Sequence, residues 1–224
     1  MSRLFESLPV GRMTLPNRLI MAPMPRSRAN DAGVPSELAA TYYRQRSGAG
    51  LIITEATTVS PMAKGYVRIP GLYTDDQVAG WQPITRAVHE AGGRIFAQLF
   101  HVGRVSHPHL LPGGAQPVAP SAVGFEGKVY TDDAGMLPYG EPRALEANEI
   151  PEVIEDFRRA TERALEAGFA GVELHAPSGH LQHQFLWSGS NRRDDGYGGS
   201  AENRSRFVAE TLEAMIAAAG KDRV

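Results

Sequence analysis

Cysteine is absent from all 224 residues. A disulfide framework, a thiol nucleophile and a Cys-ligated iron–sulfur cluster are therefore excluded. Charge of one sign is also scarce: 23 Lys and Arg against 25 Asp and Glu leave a formal charge of -2, which argues against a nucleic-acid partner or an acidic tail. No apolar run approaches the roughly 18 residues a membrane span needs. The opening MSRLFESLPVGRM lacks the apolar centre of a signal peptide, so the expectation is a cytoplasmic protein with no membrane partner. No GxGxxG follows the first apolar segment, which counts against a dinucleotide-binding Rossmann sheet. His175, His180 and His183, with His101, His107 and His109, invite a zinc reading. No HExxH and no close ligand pair with an acidic third ligand accompany them, and no metal is expected.

What remains, 42% hydrophobic and 21% charged, is an ordinary globular composition with material for one core, read as a single domain over residues 1–224. Leu8 to Val10 and Met13 to Leu15 flank Gly11-Arg12 as a hairpin. Leu19 to Ala22 reads as a short strand stopped by Pro23-Met24-Pro25, because proline removes ladder donors. A helix is expected over 36–46, a strand over 51–54, a helix over 75–91 and a strand over 94–99. Residues 100–148 are rich in Pro and Gly and carry no sustained period, and a loop that long inside a compact domain points to function. Asn148 is the expected cap of a helix with Ile150, Val153, Ile154, Phe157, Ala160, Ala164 and Leu165 on one face, stopped at Gly168. Gly171 to Leu174 is a fourth strand, followed by a helix over 181–186 and a long one from Ala201. Arg223-Val224 would open a fifth strand. Four strand–helix units argue an α/β fold with a parallel sheet, and both a barrel and an open doubly wound sheet fit that pattern.

In such folds ligands bind beyond the carboxyl ends of the strands. Those ends carry Pro23 to Pro25, Glu55-Ala56, Gln98 with His101, and His175 with Ser178 and His180. Gln98 offers donors and an acceptor on one amide, yet on the residues alone the plainer account is that it satisfies strand-end backbone groups. His175 is equally readable as a histidine bonded to loop carbonyls.

Five segments in one order, NRLIMAPM, ITEATTVSPMAKGY, AQLFHVGRVSHPHLLPGGAQPVAPSA, EIPEVIEDFRRA and GGSAENRSRF, resemble the old yellow enzyme family, flavin-dependent ene-reductases built on an eight-stranded β/α barrel of the TIM type. The resemblance covers nearly the whole chain. It implies FMN and NAD(P)H as cofactors and a small enone or related electrophilic alkene as substrate. It places Pro23, Met24, Pro25 and Ala56 against the isoalloxazine and Gln98 at its pyrimidine edge. His175 and Ser178 would polarise the substrate carbonyl, while Tyr66 and Phe100 would line the substrate pocket. The family pattern HxxxGY supplies a tyrosine as acid where this chain has His180, so His180 is the expected proton donor and a flavin-dependent isomerase is an alternative. Pro25 stands where relatives have Thr or Cys, and Phe100 where Trp is common. The missing cysteines separate the chain from cluster-containing dienoyl-CoA reductase relatives.

A closed barrel of this type needs eight strands and about 250 residues. Four units with an amino-terminal hairpin make half of one, with open edges. The expectation is a piece of a longer protein, the alternative a half-barrel that self-associates, or pairs with another chain, and is not catalytic by itself. The family's flavin-side arginine and its phosphate-binding loops would lie beyond residue 224.

Overall fold

The computed structural model describes residues 3–224. Strands β1 (Leu8–Val10) and β2 (Met13–Leu15) form the expected hairpin, with Leu8 opposite Leu15 and Gly11 at φ 56° in the turn, a conformation that favours glycine. Leu15 is fully buried and packs with Leu51, Ile53 and Phe96. The hairpin thus closes the amino-terminal end of the sheet, as a barrel plug would.

The main sheet holds β3 (Ile20–Met21), β4 (Leu51–Thr58), β5 (Ile95–Phe100) and β10 (Gly171–Leu174), in the order β10-β5-β4-β3 and all parallel. Between them run α1 (Leu38–Arg44), α2 (Asp75–Glu90) and α3 (Ile150–Glu166), and after β10 come α4 (Leu181–Leu186) and α5 (Ala201–Ala219). Helix α2 starts on a capping box, Thr74 accepting from the Gln77 N–H while the Gln77 side chain accepts from Thr74 N–H. Its buried face carries the expected Val78, Trp81, Ile84 and Val88. These side chains join Phe157, Ala160 and Ala164 of α3 and Ile52, Ile95 and Val172 of the strands in the principal core.

Several expectations need correction. The first strand shortens to two residues, since Asn17 turns the chain by bonding Gly48 O, Gly50 N–H and Leu19 N–H. Asn148 does not cap α3. Glu149 holds that position with helical backbone, and its carboxylate clamps the Arg143 guanidinium through two 2.7 Å bonds. Residues 221–223 form a 3-10 turn after Gly220 rather than a strand. The aperiodic stretch contains β6 (Val118–Ala119) paired with β9 (Arg143–Ala144), and a hairpin of β7 (Lys128–Thr131) and β8 (Gly135–Pro138). Among the described residues the main sheet has two edges and no closed barrel forms. Among the described residues no helix is long and apolar enough to cross a membrane.

β4 and β5 carry the one irregularity that matters for the site. Ile53 pairs with Phe96 and Ala56 with Gln98, so Thr54 and Glu55 together oppose Ala97. The extra residue is a β-bulge. Within it the Gln98 N–H bonds the Thr54 hydroxyl at 3.1 Å.

Candidate active site

The strand ends converge on a cavity of about 400 Å³, within the range of ~300–1,000 Å³ usual for small-molecule sites. Pro23 and Pro25, Ala56, Gln98 and Phe100, and His175, Ser178 and His180 all line it, each from a different strand end or the loop after it, together with Tyr66. Ser27 and Ile69, not anticipated from the sequence, complete the wall. Met24 does not take part. In extended backbone neighbouring side chains point to opposite faces, and with both prolines turned inward Met24 faces out, 42% exposed.

Two further expectations fail for related reasons. Glu55, one of the two bulge residues, turns away from Ala56 and accepts from Arg26 N–H at 2.8 Å and from the Tyr43 hydroxyl. Burial raises its pKa and pushes the Tyr43 phenol up as well. His101 is wholly buried, its Nδ1 accepting from Gly103 N–H and its carbonyl from Leu181 N–H. It fastens the turn after β5 to α4 and lines a different cavity. Burial, with a smaller contribution from His180, takes its pKa down to about 3.

Gln98 is held by a partner that sequence reading overlooked. Its Nε2 donates to the Glu173 carboxylate at 2.7 Å, and the two residues are register partners across β5 and β10. The side chain therefore does not serve strand-end backbone. Among the described residues nothing bonds its amide oxygen. An ionisable residue inside a short apolar strand is the signal: Glu173 shares one face of β10 with Gly171 and His175.

Both ring nitrogens of His175 are buried and bond nothing among the described residues, so loop carbonyls do not satisfy them. An unpaired buried polar group costs ~1–3 kcal/mol, and such groups collected in a cavity mark a place where a ligand supplies partners. The His175 ring stands edge-on to Phe100, and the His180 ring centroid is 4.8 Å away. Burial lowers the pKa of His175. Burial, then the neighbouring His175, brings His180 to about 4. Both rings are neutral at pH 7. His180 Nε2 lies 3.3 Å from the Tyr66 hydroxyl, and its Nδ1 has no partner among the described residues.

The segments that deliver these groups are under backbone strain. Ser27, Arg68 and Ser178 are the non-glycine residues with positive φ among those described, at 50°, 52° and 64°. Two of them line the cavity, and the third lies between Tyr66 and Ile69, which do. Strain of this sort gathers where the surroundings fix a functional geometry. Tyr66 is further fixed by tight packing one residue earlier: a Cβ on Gly65 would lie 2.4 Å from Val105 O. No His, Asp or Glu cluster among the described residues has the arrangement to hold a metal ion.

As a receptor, the cavity suits a flat heterocycle with alternating acceptors and donors on one edge. Pro23, Pro25, Ala56, Ile69 and Phe100 supply apolar surface, and Gln98 supplies an oriented amide. No Lys, Arg or carboxylate is among the lining residues, so nothing there holds a phosphate.

Residues 3–224 match the model of the NADH:flavin oxidoreductase / NADH oxidase family. The chain is 45% identical over 216 residues to 12-oxophytodienoate reductase 1 of Oryza sativa subsp. japonica, covering 96% of the chain and 55% of that protein. It is 43% identical to the flavin oxidoreductase hxnT of Emericella nidulans, covering 99% of the chain and 58% of that protein. Among solved structures it is similar to morphinone reductase in complex with tetrahydroNAD, at 52% identity and TM-score 0.95 over all of the chain and 63% of that one. It is also similar to the old yellow enzyme homologue from Zymomonas mobilis, at 46% identity and TM-score 0.96 over 99% of the chain and 62% of that structure. The chain thus spans a little over half the length of the curated relatives it matches.

Proposed function

The chain belongs to the NADH:flavin oxidoreductase / NADH oxidase family, the old yellow enzyme family, and from this membership we propose that it forms the substrate-facing half of an FMN-dependent, NAD(P)H-using enzyme that reduces the C=C bond of α,β-unsaturated carbonyl compounds. One observation carries the reading: Gln98, oriented by Glu173, and His175, whose ring nitrogens have no partner among the described residues, line the same cavity. FMN, when bound, supplies the hydride that the β-carbon of the substrate receives.

The chain's own residues do the rest. Gln98 matches the pyrimidine edge of the flavin with its free amide oxygen and second N–H, and Pro25 and Ala56 border the ring with backbone and apolar surface. Pro25 has no side-chain donor, so the flavin potential differs from that of relatives with Thr or Cys there. His175 has no protein partner to surrender. It donates one N–H to the substrate carbonyl, and Ser178, at the cavity rim, adds a hydroxyl. Electron withdrawal there makes the β-carbon a better acceptor and stabilises the enolate that develops. Phe100 and Tyr66 hold the alkene, and the site beside His180 is where a proton reaches the α-carbon.

The two open edges of the sheet and the lack of a basic residue in the cavity support a further part of the proposal: these four β/α units are completed by more barrel polypeptide, in the same chain or another, which binds the phosphate. The purified chain is titrated with FMN, alone and with the carboxyl-terminal half of a homologous barrel, and assayed with NAD(P)H and 2-cyclohexenone. Flavin binding and enone loss with the complementing half support the reading. Flavin binding in which His175→Ala leaves enone turnover unaltered removes it.

A further inference from the structure

His180 occupies the place of the family's acid, but its surroundings do not equip it to release a proton. The ring is 7% exposed, Nδ1 is sealed off without a partner, and no carboxylate lines the cavity to support an imidazolium. The titratable groups facing it are His175 from the end of β10, His101 from the end of β5 and Tyr66 from the loop after β4. Of these groups Tyr66 and His175 line the cavity and keep some exposure, but both His175 ring nitrogens are buried, whereas Tyr66 is 36% exposed and its hydroxyl is 3.3 Å from His180 Nε2.

Resting on the ene-reductase reading, we infer that Tyr66 is the proton donor of this site and that His180 is its positioning residue. The His180 ring carries its proton on Nε2 and donates it to the Tyr66 oxygen, which leaves the phenol hydrogen free to point into the cavity. Either tautomer leaves the buried Nδ1 without a partner among the described residues; with the proton on Nε2 it is a bare acceptor, with the proton on Nδ1 an orphaned N–H, the rarer case inside proteins. In the transfer, the electron pair of the enolate α-carbon takes the Tyr66 proton, a C–H bond forms and the O–H bond breaks. The resulting phenolate accepts the Nε2–H bond, since a hydrogen bond to the charged form favours it. Water at the exposed side of Tyr66 returns the proton, and His180 keeps its own throughout. A tyrosine hydroxyl is thereby restored beside position 180 from a different loop, 114 residues distant in sequence.

Nitrogen-15 NMR of the histidine rings, recorded at pH 7 on the chain complemented by the carboxyl-terminal half-barrel, tests the first half without flavin or substrate. Nε2 of His180 is expected protonated and Nδ1 bare; a proton on Nδ1, or an imidazolium, overturns the inference. The second half is read with 2-cyclohexenone in the flavin-loaded complex of the chain with its complementing carboxyl-terminal half-barrel. Tyr66→Phe is expected to slow enone reduction about 100-fold, the low end of general-acid contributions. A fluorotyrosine at position 66, more acidic but nearly the same shape, is expected to shift the alkaline limb of the pH–rate profile downward. Parent-like rates for Tyr66→Phe, or an unmoved alkaline limb, sink the assignment. Failure of the parent to reduce any enone contradicts the ene-reductase reading instead, and the ring tautomer still distinguishes the two.

Discussion

At the scale of single residues the site is governed by which polar atoms lack partners and which are pinned. Glu173 pins Gln98 with a charge-assisted bond, a kind worth ~1.5–3 kcal/mol. Glu173→Ala is expected to free the amide and weaken FMN binding roughly tenfold, about 1.4 kcal/mol, measured by quenching of flavin fluorescence; unchanged affinity would show that Gln98 is oriented by other means. The buried histidines predict a pH response. His101 and His180 have folded pKa values of about 3 and about 4, and that of His175 is also lowered. Their unfolded value is about 6.5, so the unfolded chain binds protons first as pH falls. Stability is full above pH ~6.5 and declines toward pH 4. Glu55, raised by burial, opposes the trend as one carboxyl against three rings. Denaturant midpoints recorded between pH 7 and 5 should fall, less steeply in His180→Gln. Much of this scale was legible beforehand: nine of the ten residues named for the site line the cavity, because residue types at strand ends are readable. Met24, Glu55 and His101 were misjudged because facing depends on the local pleat and the bulge, neither of which has a sequence signature here.

At the scale of elements, the β4 bulge is what aligns Ala56 with Gln98. Thr54 maintains it by accepting the Gln98 N–H, and its side chain is fully buried. Thr54→Val keeps the shape and removes the acceptor, leaving a buried N–H unpaired. A loss of ~1–3 kcal/mol is expected in equilibrium unfolding, and the bulge interpretation would not survive a neutral result. The helices followed their apolar periodicity closely, α4 to the residue. The β7–β8 hairpin was missed because its strands are four residues each and one face is exposed, too short for alternation to stand out from loop composition. Residue type points to Asn148 as the cap of α3, yet the Arg143–Glu149 clamp decides where α3 starts.

At the scale of the whole molecule, four parallel strands end in two unpaired edges. β3 is the more open, with Ile20 half exposed. Such edges template association. Sedimentation velocity of the purified chain is expected to show species that grow with concentration and to resolve into one defined complex when a complementing half-barrel is added. A sharp monomer unaffected by that addition would mean that the edges are protected as they stand.

The sequence by itself determined the strand–helix alternation, the parallel sheet, the family and the types of side chain offered at the strand ends, because periodicity, stop residues and motif strings are local properties of the chain. Only the tertiary structure decided that Glu173 holds Gln98, that His175 is left without partners, and that Tyr66 meets His180 from the other side of the cavity. Each of those depends on which residues far apart in sequence are brought together, fixed by strand register and loop packing, and no local pattern encodes it.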